Sequence, residues 1–129
     1  MEKKIEILVV DDEPGYRDMF LFILEPLGIN VTCVADGRAA VEKVKEKAYD
    51  LILTDVHMPR LSGPEAIKMI KAVRLEQKIV IFSSSSDTEY TFEKEAEKSG
   101  IVECLFKPVD DAQLQRVLKK ALGIDFNKS

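Results

Sequence analysis

Long apolar stretches are missing from this 129-residue chain, and none approaches the roughly 20 residues that a membrane-spanning helix needs. The start, MEKKIEILVV, carries two lysines but passes straight into a strand pattern, without the apolar core or small-residue cleavage site of a secretory signal. Histidine and cysteine are scarce. One histidine and two cysteines make no metal-ligand spacing, which argues against a zinc site. Cys33 and Cys104 both lie in apolar runs, where a buried thiol is expected rather than a disulfide or a metal ligand. Positive charge is not in excess either: the formal net charge of −4 offers no basic stripe for nucleic acid. No internal repeat, linker or low-complexity segment occurs apart from four consecutive serines at 83–86. These absences lead us to expect a cytoplasmic protein that binds neither membrane nor nucleic acid.

What is present is the composition of a folded domain, with 46% hydrophobic and 33% charged residues. The length fits one domain spanning 1–129, enough to bury a real core. Strand and helix patterns alternate throughout. The continuous run Ile5–Val10 predicts a strand covered on both faces, Asp50–Asp55, Ile79–Phe82 and Val102–Phe106 are read as further strands, and the alternation in Asn30–Ala35 predicts a strand nearer the sheet edge. Pro14 opens a helix with Phe20, Ile23, Leu24 and Leu27 at helical spacing, which Gly28 stops. Asp36-Gly37 is expected to form a turn before a helix marked by Ala40, Val41, Val44 and Ala48. Further helices are predicted around Ile67, Ile70 and Val73, over the charged segment Glu89–Lys98, and after Asp110, where Leu114, Val117, Leu118, Ala121 and Leu122 form one apolar stripe. Five strands alternating with five helices imply an α/β, doubly wound parallel sheet with helices on both faces. Right-handed crossovers favour the strand order 2-1-3-4-5, a flavodoxin-like three-layer sandwich.

The apolar runs end in residues that a buried strand should not tolerate. IEILVV meets Asp11 and Asp12, LILT meets Asp55, IVIF meets Ser83, and ECLF meets Lys107. A charge there costs on the order of several kcal/mol to desolvate unless something pairs with it. In a parallel sheet all these ends share one edge, and ligands bind beyond that edge near the point where the strand order reverses. Three converging carboxylates repel one another unless a cation intervenes, and an all-oxygen set suits Mg²⁺. A lysine opposite a metal-bound carboxylate makes a seat for a dianionic tetrahedral group, and carboxylates are known nucleophiles toward phosphoryl groups. In such a reaction the metal neutralises oxygen charge, Lys107 binds another oxygen and Ser83 donates to a third. Each residue alone has an ordinary reading: Lys107 in a simple ion pair, Ser83 as a turn residue, His57 as a solvent-facing loop residue. Their joint placement favours a site.

These residues carry a resemblance. LVVDDEPG, LILTDVHMPRLSGPEAI, IVIFSS and LFKPVD resemble, in order and at near-standard spacing over almost the whole chain, the signatures of response-regulator receiver domains, the CheY-like family of two-component signalling. The resemblance implies that Asp55 is the phosphoacceptor. It makes Asp12 a direct Mg²⁺ ligand, Asp11 a ligand acting mainly through water, and the His57 backbone carbonyl the completing ligand beside Asp55. Lys107 would bind the phosphoryl group and Ser83 would be the switch hydroxyl, with Ser84 as the small residue beside it or the fallback for that role. The position three residues before the lysine, often aromatic in the family, is Cys104, with Phe106 next to the lysine. The span from Ser83 to Lys107 is about two residues longer than usual, which would remodel the start of the fourth helix.

The implied function is that of a stand-alone phosphoacceptor, which promotes its own phosphorylation and dephosphorylation rather than turning over a separate substrate. Its donor would be a sensor histidine kinase or a histidine phosphotransfer protein, and its downstream partner a protein bound through a switching face formed by the fourth and fifth helices. Gly15, Arg17, Asp18 and Phe22 resemble the surface shown to the kinase, with Phe22 as a core residue equally open. The short tail GIDFNKS is read as leaving no DNA-binding effector. A flavodoxin-like nucleotide binder is disfavoured because Asp11 and Asp12 occupy the place where phosphate would bind a helix N-terminus. An aspartyl-phosphate phosphatase of the haloacid-dehalogenase type is disfavoured because His57 stands where a second aspartate is expected. A phosphorylation-independent interaction module is disfavoured by the complete acidic set.

Overall fold

The computed structural model describes residues 4–55, 63–83 and 101–124, with the backbone alone at Gly63, Pro64 and Ser83. The apolar runs become five strands: β1 Glu6–Val10, β2 Asn30–Val34, β3 Leu51–Asp55, β4 Ile79–Ser83 and β5 Glu103–Phe106. Helices α1 Pro14–Leu24, α2 Gly37–Glu46, α3 Gly63–Val73 and α4 Asp111–Leu122 alternate with them. His57, Ser84, the helix expected over Glu89–Lys98 and residues 125–129 of the tail lie outside the described residues. Every strand pairing is parallel, and the order is β2-β1-β3-β4-β5, as the alternation predicts.

Because side chains alternate across a strand, each strand feeds two cores. Leu8, Val10, Ile52, Ile79 and Ile81 meet Ala40, Val41 and Val44 of α2 and Ala66, Ile67 and Ile70 of α3. Ile7, Val9, Leu51, Leu53, Val80, Phe82 and Leu105 meet Phe20 and Leu24 of α1 and Leu114, Val117, Leu118 and Ala121 of α4. The three central strands are buried on both sides, so their sequences read as unbroken apolar runs. Fully burying one such side chain contributes about 1.5–3 kcal/mol, and these two layers fix the sheet edge that carries the polar residues.

Four details differ from the sequence expectations. Asp36-Gly37 is a helix start and not a turn: the Asp36 carboxylate accepts from the Ala39 N–H at 2.8 Å, and Gly37 is the first, buried residue of α2. Helix α1 ends at Leu24, because Pro26 in its interior would lack an N–H and clash with the preceding turn. A 3-10 turn, Glu25–Leu27, follows and closes at Gly28 with φ +83°. Phe22 is 82% exposed, which removes its reading as a core residue. Cys33 and Cys104 are half-buried, since they sit on the two edge strands, and no disulfide joins them.

Helix α4 starts with a reciprocal cap. The Asp110 side chain accepts from the Gln113 N–H at 2.8 Å, and the Asp110 N–H donates to the Gln113 side chain at 3.1 Å. Asp110→Ala is expected to lower stability by about 1 kcal/mol, read as a reduced urea midpoint with an unchanged slope. No change in the midpoint would show that the cap carries no weight.

Candidate functional site

The registers bring the strand ends together. Val10 lies beside Thr54, Asp55 beside Phe82, and Ser83 beside Phe106. One step further, Asp11 follows Val10 next to Asp55, and Lys107 follows Phe106. Alternation then selects the face. Asp11 continues the Ile7–Val9 series, Asp55 the Leu51–Leu53 series, and Lys107 the position after next from Leu105. All three therefore point to the side of the sheet covered by α1, at its open end.

There they form a compact charged group. Lys107 Nζ lies 2.9 Å from Asp11 Oδ2, 3.2 Å from Glu13 Oε1 and 3.3 Å from Asp55 Oδ2. The Lys107 side chain is only 5% exposed, and Asp11 and Asp55 are buried, whereas Asp12 and Glu13 face solvent. The Lys107 ammonium, shared with two other carboxylates, is the one partner of the buried Asp11 Oδ2 among the described residues. Its companion Oδ1 accepts from the Glu13 N–H at 2.9 Å. Arg17 Nη1 donates to the Asp11 carbonyl at 2.8 Å, and the Asp11 N–H donates to the Val34 carbonyl at 3.1 Å, which pins the loop to α1 and β2.

Burial pushes the Asp11 carboxyl above the usual aspartate value. The Lys107 ammonium and the Glu13 N–H pull it back, and the neighbouring Asp55 charge adds to the rise. For Lys107, burial acts to release the proton, but Asp11, Asp55 and Glu13 outweigh it and hold the ammonium above the ordinary lysine range. Lys107 is therefore charged throughout neutral pH.

Ligating oxygens of Asp11, Asp12, Glu13 and Asp55 all lie within 4.8 Å of one another. One ammonium does not balance four carboxylates. This excess, the buried Asp11 oxygen met only by a shared ammonium and the all-oxygen chemistry fit a hard divalent cation such as Mg²⁺.

Of the residues singled out in the sequence, Asp11, Asp12, Asp55 and Lys107 converge here. Ser83 ends the neighbouring strand β4 at the same edge by backbone position. His57 and Ser84 lie outside the described residues. Two participants were missed. Glu13 is the N-cap residue of α1, yet its side chain makes no cap and reaches Lys107 instead. Tyr16 places its ring under the same ammonium, with Nζ 4.0 Å from the centroid. The available signal was that Pro14 fixes the start of α1, so both residues stand at its first turn, over the sheet edge.

Of the proposed kinase-facing residues, Gly15, Asp18 and Phe22 are exposed on α1, while Arg17 is half-buried by its bond to the loop. No helix among the described residues is long and apolar enough to cross a membrane.

Known proteins resemble this chain in sequence and in fold. The family described as the response regulator receiver domain matches residues 7–119. The transcriptional regulatory protein ZraR of Salmonella typhimurium is 39% identical over 93% of this chain, which covers 27% of that protein. The chain thus spans about a quarter of the length of such curated relatives. Among solved structures, the receiver domain of the sensor histidine kinase PA1611 from Pseudomonas aeruginosa, with magnesium in its active site cleft, superimposes with a TM-score of 0.81. It is 31% identical, and the match covers 95% of this chain and all of that one. The chemotaxis protein CheY4 of Vibrio cholerae gives a TM-score of 0.84 at 28% identity, covering 93% of this chain and all of that one.

Proposed function

Given that the chain belongs to the response regulator receiver domain family, we propose that it accepts a phosphoryl group on Asp55 from a phosphohistidine donor, with Mg²⁺, and thereby changes its partner-binding surface. The observation that carries this reading is the convergence of one lysine and four carboxylates on a single sheet edge, with Asp55 buried against Lys107. The donor is a sensor histidine kinase or a histidine phosphotransfer protein, and the exposed residues of α1 near the site, Gly15, Asp18 and Phe22, are where it docks.

The Asp55 carboxylate attacks phosphorus, a new O–P bond forms as the donor's N–P bond breaks, and the departing imidazole takes up a proton. Asp11, Asp12 and Asp55 would hold Mg²⁺, with the His57 carbonyl as the further ligand that the family resemblance implies, and the ion would neutralise phosphoryl oxygen charge. Lys107, held beside Asp55, would meet another phosphoryl oxygen, and Ser83, at the end of β4, is the candidate for a third. The product carries roughly −1.5 to −2 charge where one carboxylate stood. That change would bias the segment after β5 that bears Lys107 between two arrangements.

Beryllofluoride, a tetrahedral mimic of the acyl phosphate, tests this reading by fluorine NMR. Bound fluoride signals are expected only with Mg²⁺ and only with Asp55 intact. Their absence in the wild-type protein would overturn it.

The raised Asp11 value adds a pH dependence. A protonated Asp11 is a poor ligand, so Mg²⁺ affinity is full above its titration and falls as pH drops through it. Calorimetric Mg²⁺ titrations from neutral to mildly acid pH should show the wild type weakening at higher pH than Asp11→Asn. Superimposable profiles would remove Asp11 from the metal equilibrium.

A further inference from the structure

The Lys107 ammonium rests on the face of a ring that the phosphoryl chemistry does not itself require. Lysine carries its charge on a flexible four-carbon stem, and three carboxylates compete for this one: Asp11, Glu13 and Asp55 all lie within 3.3 Å of Nζ. Carboxylates alone would let the ammonium follow whichever partner moves. The Tyr16 ring lies against the same group, 4.0 Å from Nζ to the centroid, well inside the distance at which a ring face attracts a cation.

Tyr16 is in turn fixed by its neighbours. Its ring packs 6.3 Å from that of Phe20, and Phe20 packs 5.2 Å from Phe82, the residue before Ser83. Phe20 and Phe82 are fully buried, so the row of rings is anchored in the core between α1 and the sheet. The anchoring of α1 rests on Phe20 and Leu24, both buried, whereas Tyr16 is only half-buried. Its ring packs against that core and also meets the ammonium.

We propose that Tyr16 is a positioning residue: its ring seats the Lys107 ammonium beside Asp55, so that the charge is already in place when a phosphoryl group arrives. This rests on the phosphoacceptor reading for its consequence, but the seat itself exists in the unphosphorylated protein. A contact of this kind corresponds to roughly a 2- to 30-fold effect on a rate it controls. A phenylalanine keeps the ring face and a leucine removes it, so the two substitutions separate the ring from its volume.

The test compares wild type, Tyr16→Phe and Tyr16→Leu. Proton NMR of the unphosphorylated proteins reads the seat directly. The Lys107 ε-methylene resonances are expected upfield, through the ring current, in wild type and Tyr16→Phe, and at ordinary positions in Tyr16→Leu. Rates of phosphorylation by phosphoramidate with saturating Mg²⁺ are expected to stay within about twofold of wild type for Tyr16→Phe and to fall about tenfold for Tyr16→Leu. Urea midpoints measured alongside exclude loss of the fold as the cause. Ordinary Lys107 shifts in the wild type, or equal rates in wild type and Tyr16→Leu, would overturn the proposal. A wild type that takes up no phosphoryl group would overturn the phosphoacceptor reading instead, while the NMR comparison would still decide the seat.

Discussion

Asp55→Asn is expected to take up no phosphoryl group from phosphoramidate and Mg²⁺ during a reaction that modifies the wild type fully. An amide has no anionic oxygen to attack phosphorus, so the loss is complete rather than partial. The fold should survive. Asn has nearly the same shape, and the change removes one charge from a group in which Asp11, Asp12, Glu13 and Asp55 crowd within 4.8 Å. In metal-free buffer the urea midpoint of Asp55→Asn is therefore expected to be no lower than that of the wild type, because like-charge repulsion falls. Intact mass and urea denaturation on the same preparation check both halves. Phosphoryl uptake by the variant at the wild-type rate would place the acceptor elsewhere.

Lys107→Ala is expected to act in two ways. It removes the cation that meets the transferred phosphoryl group, which should slow modification of Asp55 by about 10²–10³-fold, the range for losing one preorganised donor to developing charge. It also strips the counter-charge from Asp11 and Asp55, which are buried and face each other across the sheet edge. Leaving the buried Asp11 carboxylate without its cation costs about 3–5 kcal/mol where no other cation reaches it. Mg²⁺ does reach it, so the urea midpoint should drop in chelator and recover in large part with Mg²⁺. The wild type should gain less from the ion, because its lysine already supplies one positive charge. A variant that is phosphorylated at the wild-type rate, or whose stability ignores Mg²⁺, would contradict this account of Lys107.

The strands were legible because burial on both faces leaves no room for polar residues, as in β1, β3 and β4. Their ends were legible for the converse reason: Asp11, Asp55 and Lys107 interrupt apolar runs where only pairing makes a charge tolerable. The order of the sheet followed from the alternation of strands and helices and the handedness of crossovers. What the sequence did not show was how α1 enters above the sheet edge. Glu13 and Tyr16 join the site through that entry, and their spacing alone does not say which neighbour their side chains meet. Phe22 is a different case. It lies about 200° around the helix from Phe20, opposite the buried stripe, so helical phase already excluded it from the core. The cysteines misled because their apolar neighbours suggested full burial, although the expected strand order already put both on edge strands, β2 and β5. Asp36-Gly37 reads equally as a turn or a helix start, and only the bond from the Ala39 N–H separates the two.

The central claim is that one buried aspartate accepts a phosphoryl group with the help of a cation held by its neighbours. Its most direct test is the intact mass of the wild-type protein after phosphoramidate, with Mg²⁺ and with a chelator in its place. The account predicts one added phosphoryl group with Mg²⁺ and none with the chelator. An unmodified mass under both conditions, or the same gain in an Asp55→Ala protein, would contradict it.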